Sequence, residues 1–179
     1  MEVGDVIRFG GQDYVVRDAF YKTMNTAPGG QRLCSDKREG IEPNKRFYVV
    51  ECEGERFWIK QWVTEASYFW GTLEDEYQRI QQASELVLAG DGVKVRSVRA
   101  HGYEELHLLT EYLEGYTSLA LTTVSKEWRA QVYPMVRQFL AEVKLASSYD
   151  LSRNNLMVSP AGDEVVLIDF ELAAGKDLL

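Results

Sequence analysis

The spacing of the apolar residues changes along the chain, and this change constrains the fold more than any other feature. Up to residue 62 the apolar residues fall in short runs rich in β-branched and aromatic side chains, which are typical of strands. From Thr72 they recur at i, i+4 and i+7, the spacing of an amphipathic helix. Strand-like runs and a second helical stretch follow, so the chain predicts an α+β fold.

Turn-forming residues set the limits of the expected elements. Gly10 and Gly11 predict a hairpin between residues 6–9 and 13–16, because glycine accepts the positive φ of tight hairpin turns. A second hairpin is expected over residues 47–62. A helix is expected to start after Thr72 and to be stopped by residues 90–92, and strands are expected at 95–103 and 106–113. A second helix is expected at 125–146, and Pro134 should kink or divide it. Strands at 156–158 and 165–168 should form a closing hairpin.

Residues 22–46 combine many turn formers with six Lys or Arg side chains and little apolar pattern. We expect a long, mobile, basic loop in this region. Gly29 and Gly30 are its candidates for bringing backbone N–H groups to a phosphate, although the chain contains no G-x-G-x-x-G motif.

Composition and charge exclude several classes of protein. A length of 179 residues with 45% hydrophobic residues fits a packed globular chain of about one domain. A net charge of −8 argues against a nucleic-acid partner. The two cysteines and two histidines lack the spacing of a metal site or a disulfide framework. With no long apolar run and no secretory leader, we expect no membrane partner and a cytoplasmic location, or a host cytosol if the chain is a delivered effector.

The side chains with the clearest chemical pattern lie near the end of the chain. Asp150 and Asn155 share the stretch Asp-Leu-Ser-Arg-Asn-Asn, and Asp169 follows the last predicted strand in Ile-Asp-Phe-Glu. This spacing resembles the catalytic loop and the metal-binding Asp-Phe motif of protein kinases. The resemblance makes Asp150 the acid that orients the acceptor hydroxyl and takes its proton. It makes Asn155 and Asp169 the Mg²⁺ ligands, for which amide and carboxylate oxygens are suited.

Two charged residues upstream match the same family in the same order. Lys60 ends the run Phe-Trp-Ile-Lys, which is similar to the kinase strand whose lysine touches the α- and β-phosphates of ATP. Glu76 is the expected partner of Lys60, because it lies nearest to the apolar stripe among the three acids that open the first helix.

The run of residues 106–115 resembles the last strand of a kinase N-lobe and the hinge that follows it. Thr110 would be the gatekeeper in this comparison. The hinge residues whose backbone would bind adenine are Glu111, Tyr112 and Leu113.

Taken together, the motifs resemble the protein-kinase-like fold from about residue 47 to residue 174. The resemblance implies an antiparallel-sheet N-lobe with one helix at residues 1–113 and a truncated, mainly helical C-lobe at residues 114–179. The wording of the catalytic-loop and Asp-Phe-Glu motifs is similar, in particular, to bacterial kinase domains of class III and IV lanthipeptide synthetases.

The chain also departs from the kinase pattern. Ser148 and Tyr149 stand where the family has a bracing histidine and then arginine or glycine, so we expect the brace to be missing. Ser152 replaces a lysine that many kinases aim at the γ-phosphate, and Arg153 is the candidate to supply that charge. Glu171 replaces the glycine after Asp-Phe, and few residues follow it from which to build an activation segment. Because Tyr149 stands where the family has the arginine that pairs with a phosphorylated activation loop, regulation by loop phosphorylation is not expected.

The resemblance implies an ATP- and Mg²⁺-dependent enzyme that transfers the γ-phosphate to a Ser or Thr hydroxyl of a protein or peptide. Two alternatives stay open: a kinase for a small molecule or sugar, and a nucleotide-binding pseudokinase that acts as an interaction module. A second copy of the chain or a partner chain that completes the C-lobe also stays open.

Overall fold

A computed structural model of the protein describes residues 1–23, 32–34, 45–62, 72–146, 149 and 151–170. The strands and helices, in chain order, are β1 (Val6–Phe9), β2 (Gln12–Thr23), β3 (Arg32–Cys34), β4 (Lys45–Cys52), β5 (Glu55–Trp62), α1 (Leu73–Ser84), β6 (Val87–Gly90), β7 (Val93–Ser97), β8 (Ala100–Glu104), β9 (His107–Glu111), β10 (Thr117–Ser118), α2 (Lys126–Glu142), β11 (Leu156–Val158) and β12 (Glu164–Leu167). Neither helix in this described part of the chain has the length and apolar character needed to cross a membrane.

The first compact unit comprises Met1–Phe69 and Ala100–Tyr112. Its sheet has the order β1-β2-β4-β5-β9-β8, with β3 paired to β2, and every pairing is antiparallel. One face of this sheet carries the apolar core of the unit. The core residues are Ile7, Phe9, Tyr14, Val16, Tyr48, Val50, Ile59 and Leu109.

Both predicted hairpins of this unit are confirmed, and both close through residues with positive φ. Gly10 and Gly11, with φ of 56° and 81°, connect β1 to β2. Glu53 and Gly54, with φ of 53° and 84°, connect β4 to β5. Two residues of positive φ match the right-handed twist of the flanking strands.

The predicted loop over residues 22–46 is wrong in part. Strand β2 continues to Thr23, β3 pairs with it, and β4 already begins at Lys45. Lys45 is buried, and its ammonium group lies 5.4 Å from the centre of the Trp62 ring. The cation–π contact offsets part of the cost of burying this charge. Residues 24–31 and 35–44 lie outside the described residues.

The second unit comprises Trp70–Arg99 and Leu113–Leu179. Its sheet has the order β10-β11-β12-β7-β6, and the pairing of β12 with β7 is parallel. Helices α1 and α2 both pack against β7. Residues 70–99 thus belong to the same compact unit as the C-terminal part of the chain. The boundary between two kinase lobes at residue 113, which the kinase resemblance implies, stays a prediction.

Helix α1 starts as predicted but ends earlier. The Thr72 side chain accepts from the backbone of Asp75, whose carboxylate accepts in return from the Thr72 backbone, and this capping box fixes the first turn. The helix ends at Ser84, and Val87–Gly90 is a strand rather than the last helical turn. Asp91 and Gly92 have positive φ and form the turn from β6 to β7, so the signal interpreted as a helix stop is a hairpin turn.

The predicted strand over residues 95–103 is two strands, β7 and β8, which belong to different sheets. Helix α2 is capped by the Ser125 side chain, as predicted, and ends at Glu142. Pro134 lies inside it and does not divide it. The α2 residues that are buried are Val132, Val136, Phe139 and Leu140.

Glu164 at the start of β12 accepts hydrogen bonds from Arg96 on β7 and from Tyr116, which lies just before β10. Arg96 donates from Nε to one carboxylate oxygen at 3.0 Å, and the Tyr116 hydroxyl donates to the other. Burial opposes ionisation of Glu164, but the hydrogen bonds from Tyr116 and Arg96 outweigh it and lower the pKa of this carboxyl. Burial and the hydrogen bond to Glu164 raise the pKa of Tyr116 to about 12.

We expect Glu164→Gln to lower the free energy of unfolding at pH 7 by about 1–2 kcal/mol, because hydrogen bonds to a charged acceptor become bonds to a neutral one. The folded pKa of Glu164 lies below its unfolded value, so this stabilisation is present above the unfolded pKa and is lost as the pH falls through the folded pKa. Urea unfolding should therefore give a difference between wild type and variant that shrinks below pH 4.5. A difference that does not change with pH would contradict this assignment.

Candidate functional site

The closing hairpin of β11 and β12 brings Asn155 next to the segment that contains Asp169. Asn155 ends a short 3₁₀ turn, Arg153–Asn155, that leads into β11, and its side chain is buried. The Ile168 N–H donates to the Asn155 carbonyl at 2.9 Å, which extends the β11–β12 pairing by one position. Asp169 therefore lies one residue beyond a backbone contact with Asn155.

Asp169 adopts a left-handed conformation, with φ of 60°. A residue other than glycine reaches this region at a cost of about 1–3 kcal/mol, and such residues concentrate at functional sites. The left-handed residue also ends the regular alternation of side chains that β12 would otherwise continue. Asp169 is thus held in a special geometry directly after the strand.

Tyr149 braces this segment from the other side. Its hydroxyl contacts two main-chain carbonyl oxygens, that of Ile168 at 2.6 Å and that of Asn155 at 3.0 Å. The hydroxyl has one proton, so it donates mainly along the shorter contact. Tyr149 is itself buried, and the brace that the sequence led us to expect as missing is present in a different residue type.

Phe170 anchors the chain after Asp169. Its side chain is 1% exposed, and its ring centre lies 5.1 Å from that of Tyr149. The guanidinium Nε of Arg79, on α1, donates to the Phe170 carbonyl at 2.7 Å. One aromatic contact and one charged hydrogen bond therefore fix the residue that follows the candidate metal ligand.

The donor set of Asn155 and Asp169 suits Mg²⁺. One amide and one carboxylate are hard oxygen donors, and Mg²⁺ is commonly held by one or two protein groups together with substrate phosphates and water. The contacts among Asn155, Ile168, Tyr149 and Phe170 hold the main chains of the two residues in a fixed relation.

Lys60 and Thr110 lie on one face of the first sheet. Lys60 pairs with Leu108 and Trp58 pairs with Thr110 across β5 and β9, and residues at alternate positions of paired strands share a face. This is the face opposite to the apolar core of the unit. Lys60 is 5% exposed, and the Thr110 hydroxyl donates to the Trp58 carbonyl at 3.4 Å.

Three aromatic rings occupy the same face beside Lys60. The Trp58 ring stacks on Phe20 at a centroid distance of 5.6 Å and lies 5.9 Å from Phe47. Trp58 and Phe20 are half-buried. No local pattern in the sequence indicates this stack, because its rings come from β2, β4 and β5.

The remaining predicted residues are accounted for as follows. Glu76 is 2% exposed, whereas the neighbouring acids of the first helical turn are exposed, as its position on the apolar stripe predicts. Arg153 is exposed, and its Nη2 donates to the Leu119 carbonyl at 2.8 Å. The predicted hinge residues Glu111, Tyr112 and Leu113 lie where the chain passes from the first unit to the second. The predicted residues outside the described part of the chain are Gly29, Gly30, Asp150 and Glu171.

Sequence reasoning missed two of the residues that fix the site. By comparison with the kinase pattern, Tyr149 indicates that the residue that braces the catalytic loop is lost. A tyrosine directly before the catalytic-loop motif can nevertheless supply both an aromatic contact and a hydroxyl. Arg79 stands one helical turn after Glu76, so its position on the same side of α1 was the available signal.

Comparison with solved structures identifies the fold as protein-kinase-like. The kinase domain of PknI from Mycobacterium tuberculosis aligns with a TM-score of 0.53 and 15% identity, over 97% of this chain and 64% of that one. A point mutant of the same PknI domain gives a TM-score of 0.53 and 14% identity, over 95% of this chain and 62% of that one. The chain thus spans less than two thirds of these kinase domains.

Choline kinase LicA from Streptococcus pneumoniae aligns at 17% identity over 76% of this chain and 62% of its own, with a TM-score of 0.43. No model of a known protein family matches the chain. No curated protein matches its sequence either. The likeness to kinases is one of fold, and the narrower resemblance to lanthipeptide synthetase kinases stays a prediction.

We expect Tyr149→Phe to lower the free energy of unfolding by about 1–2 kcal/mol, because it removes the hydroxyl donor of the Ile168 carbonyl while the ring contact with Phe170 persists. The Asn155 carbonyl keeps its hydrogen bond from the Ile168 N–H. Thermal unfolding measures the loss. Tyr14→Phe is the matched control, since the Tyr14 hydroxyl donates to the Gln12 side chain in the first unit. An equal decrease in the free energy of unfolding in the two variants would show that the Tyr149 hydroxyl stabilises the fold no more than an ordinary tyrosine hydroxyl does.

Proposed function

We propose that the protein is a kinase that binds ATP with Mg²⁺ and transfers the γ-phosphate to a hydroxyl group. The observation that carries the proposal is the end of the β11–β12 hairpin. There the buried amide residue Asn155 is hydrogen-bonded to Ile168, and Asp169, in a left-handed conformation, follows Ile168 directly. A kinase-like fold without this pair would support only a binding role.

The chain's own residues have distinct roles in this proposal. Asn155 and Asp169 hold Mg²⁺, which, when bound, neutralises charge on the phosphates during transfer. Asp150 orients the acceptor hydroxyl and takes its proton. Lys60 holds the α- and β-phosphates, and the kinase resemblance makes Glu76 its partner. Each of these charged side chains is buried within its own unit.

The adenine and acceptor ends of the reaction are part of the same proposal. Main-chain groups of residues 111–113 bind adenine, and Thr110 limits the space behind it. The acceptor is a Ser or Thr of a protein or peptide, in keeping with the protein kinase domains that share the fold. We place the protein in the cytoplasm.

The aromatic stack favours a second candidate, an interaction module that does not take up ATP. Trp58 puts a large ring on the face of the sheet that carries Lys60 and Thr110, and Phe20 and Phe47 hold it there. A half-buried indole can serve as a surface for stacking a purine, or it can fill the space that a purine needs. The two outcomes separate the enzyme from the module.

Asp169→Asn tests the enzyme directly. It removes the charged member of the proposed pair, so we expect the affinity for Mg-ATP, measured by calorimetry, to fall by about tenfold or more, equivalent to about 1.4 kcal/mol. Transfer of label from ATP to proteins of a cell lysate should be lost as well. Asp163→Asn, in the turn of the same hairpin, is the matched control and should keep both properties. Equal Mg-ATP affinity in wild type and Asp169→Asn would refute the metal assignment.

Trp58→Ala decides between the two candidates. If the protein binds ATP by stacking, loss of the indole should weaken the affinity for Mg-ATP, at a cost of about 1–3 kcal/mol for one base–aromatic contact. If the indole fills the nucleotide space, wild type should not bind Mg-ATP and the variant should gain binding. Phe47→Ala removes a ring of the same stack and controls for its general loosening.

A further inference from the structure

The second unit has an open surface cavity of about 460 Å³ between α2 and residues 151–153, and most of the residues that line it are exposed. Its charged lining consists of three arginines, Arg129 and Arg137 from α2 and Arg153 from the 3₁₀ turn. Tyr133 and Leu151 line it as well. A cavity of this size lies in the range of sites for small ligands or for one side chain of a larger one.

The ion pairs that the structure describes do not involve the arginines of this cavity. No carboxylate of the described residues forms an ion pair with Arg129, Arg137 or Arg153. The Arg129 Nε is buried and has no hydrogen-bond acceptor within the part of the chain that the structure describes. A buried N–H of a charged group without an acceptor is unfavourable, which makes Arg129 a candidate donor to a bound anion.

The charge of this cavity contrasts with that of the whole chain. The net charge of the protein is −8, yet among the described residues the charged side chains that line the cavity are all positive. Mutual repulsion among like charges that are not neutralised disfavours such a cluster. A site that gathers cations in an acidic protein is therefore suited to concentrating an anionic ligand.

The arrangement fits an oxyanion with several acceptor atoms. Arg129, Tyr133 and Arg137 are spaced at i, i+4 and i+8 and form one stripe along α2. Arg153 contributes from a second element, so donors approach from two directions. Guanidinium groups donate paired N–H bonds, which match the geometry of phosphate better than the point charge of a lysine does.

We propose that this cavity binds a phosphate monoester group. We assign the bound group to the molecule that presents its hydroxyl to Asp150, because Leu151, the next residue in the sequence, lines the cavity. The protein thereby selects acceptors that already bear a phosphate. The assignment of this ligand as the acceptor rests on the proposed kinase function, whereas binding of phosphate does not.

Binding of O-phosphoserine by the full chain, measured by calorimetry without ATP at fixed ionic strength, tests the cavity. We expect Arg137→Gln and Arg129→Gln each to weaken binding by about tenfold, and serine itself not to bind. Arg137 is exposed on the helix, so its replacement leaves the fold intact, which thermal unfolding checks. Arg8→Gln is the control, since Arg8 is an exposed arginine on β1 in the other unit.

The outcomes separate the cavity from the kinase. Equal binding of O-phosphoserine to wild type and Arg137→Gln, or no binding below about 10 mM, would overturn the proposal. Loss in the arginine variants supports it, and if wild type then fails to bind Mg-ATP, the kinase function is refuted while the phosphate site stands. A phosphoserine peptide and glucose 6-phosphate, titrated in parallel, distinguish a protein acceptor from a small-molecule acceptor by which binds more tightly.

Discussion

The hydrogen bond from the Ile168 N–H to the Asn155 carbonyl is the contact on which the candidate site depends. It closes the β11–β12 hairpin at the point where both strands end, and the Tyr149 hydroxyl contacts the carbonyls of the same two residues. Without this closure, Asn155 and Asp169 would stand on separate loops with no fixed relation. The cost of the left-handed conformation at Asp169 is offset by the anchoring of Phe170 immediately after it.

The parallel pairing of β12 with β7 extends this constraint through the second unit. It places the hairpin that bears Asp169 in one sheet with the strand against which α1 and α2 pack. Helix α1 then reaches the site through Arg79, which donates to the Phe170 carbonyl. One charged hydrogen bond thereby connects α1 to the residue after the candidate metal ligand.

Local signals were enough to predict the hairpins, the helix caps and the burial of Glu76, because each depends on neighbours within a few residues. The Asp-Gly turn at residues 91–92 was misinterpreted, since a turn glycine ends a helix as readily as it joins two strands. The parallel β7–β12 pair and the Trp58 stack could not be predicted, because they join residues far apart in the chain. The role of Tyr149 was missed for a different reason. Comparison with the kinase pattern shows that the usual residue is replaced, but it does not show which groups the new side chain contacts.

In the proposed kinase, Asn155 and Asp169 hold one divalent ion beside the phosphates of ATP. Titration of the ¹⁵N-labelled protein with Mn²⁺ and ATP tests it most directly, because the paramagnetic ion broadens the NMR signals of nuclei close to it. The account predicts that the Asn155 side-chain amide and the main-chain amides of residues 168–170 broaden first, and only when ATP is present. Early broadening confined to other residues, or none at all, would contradict it.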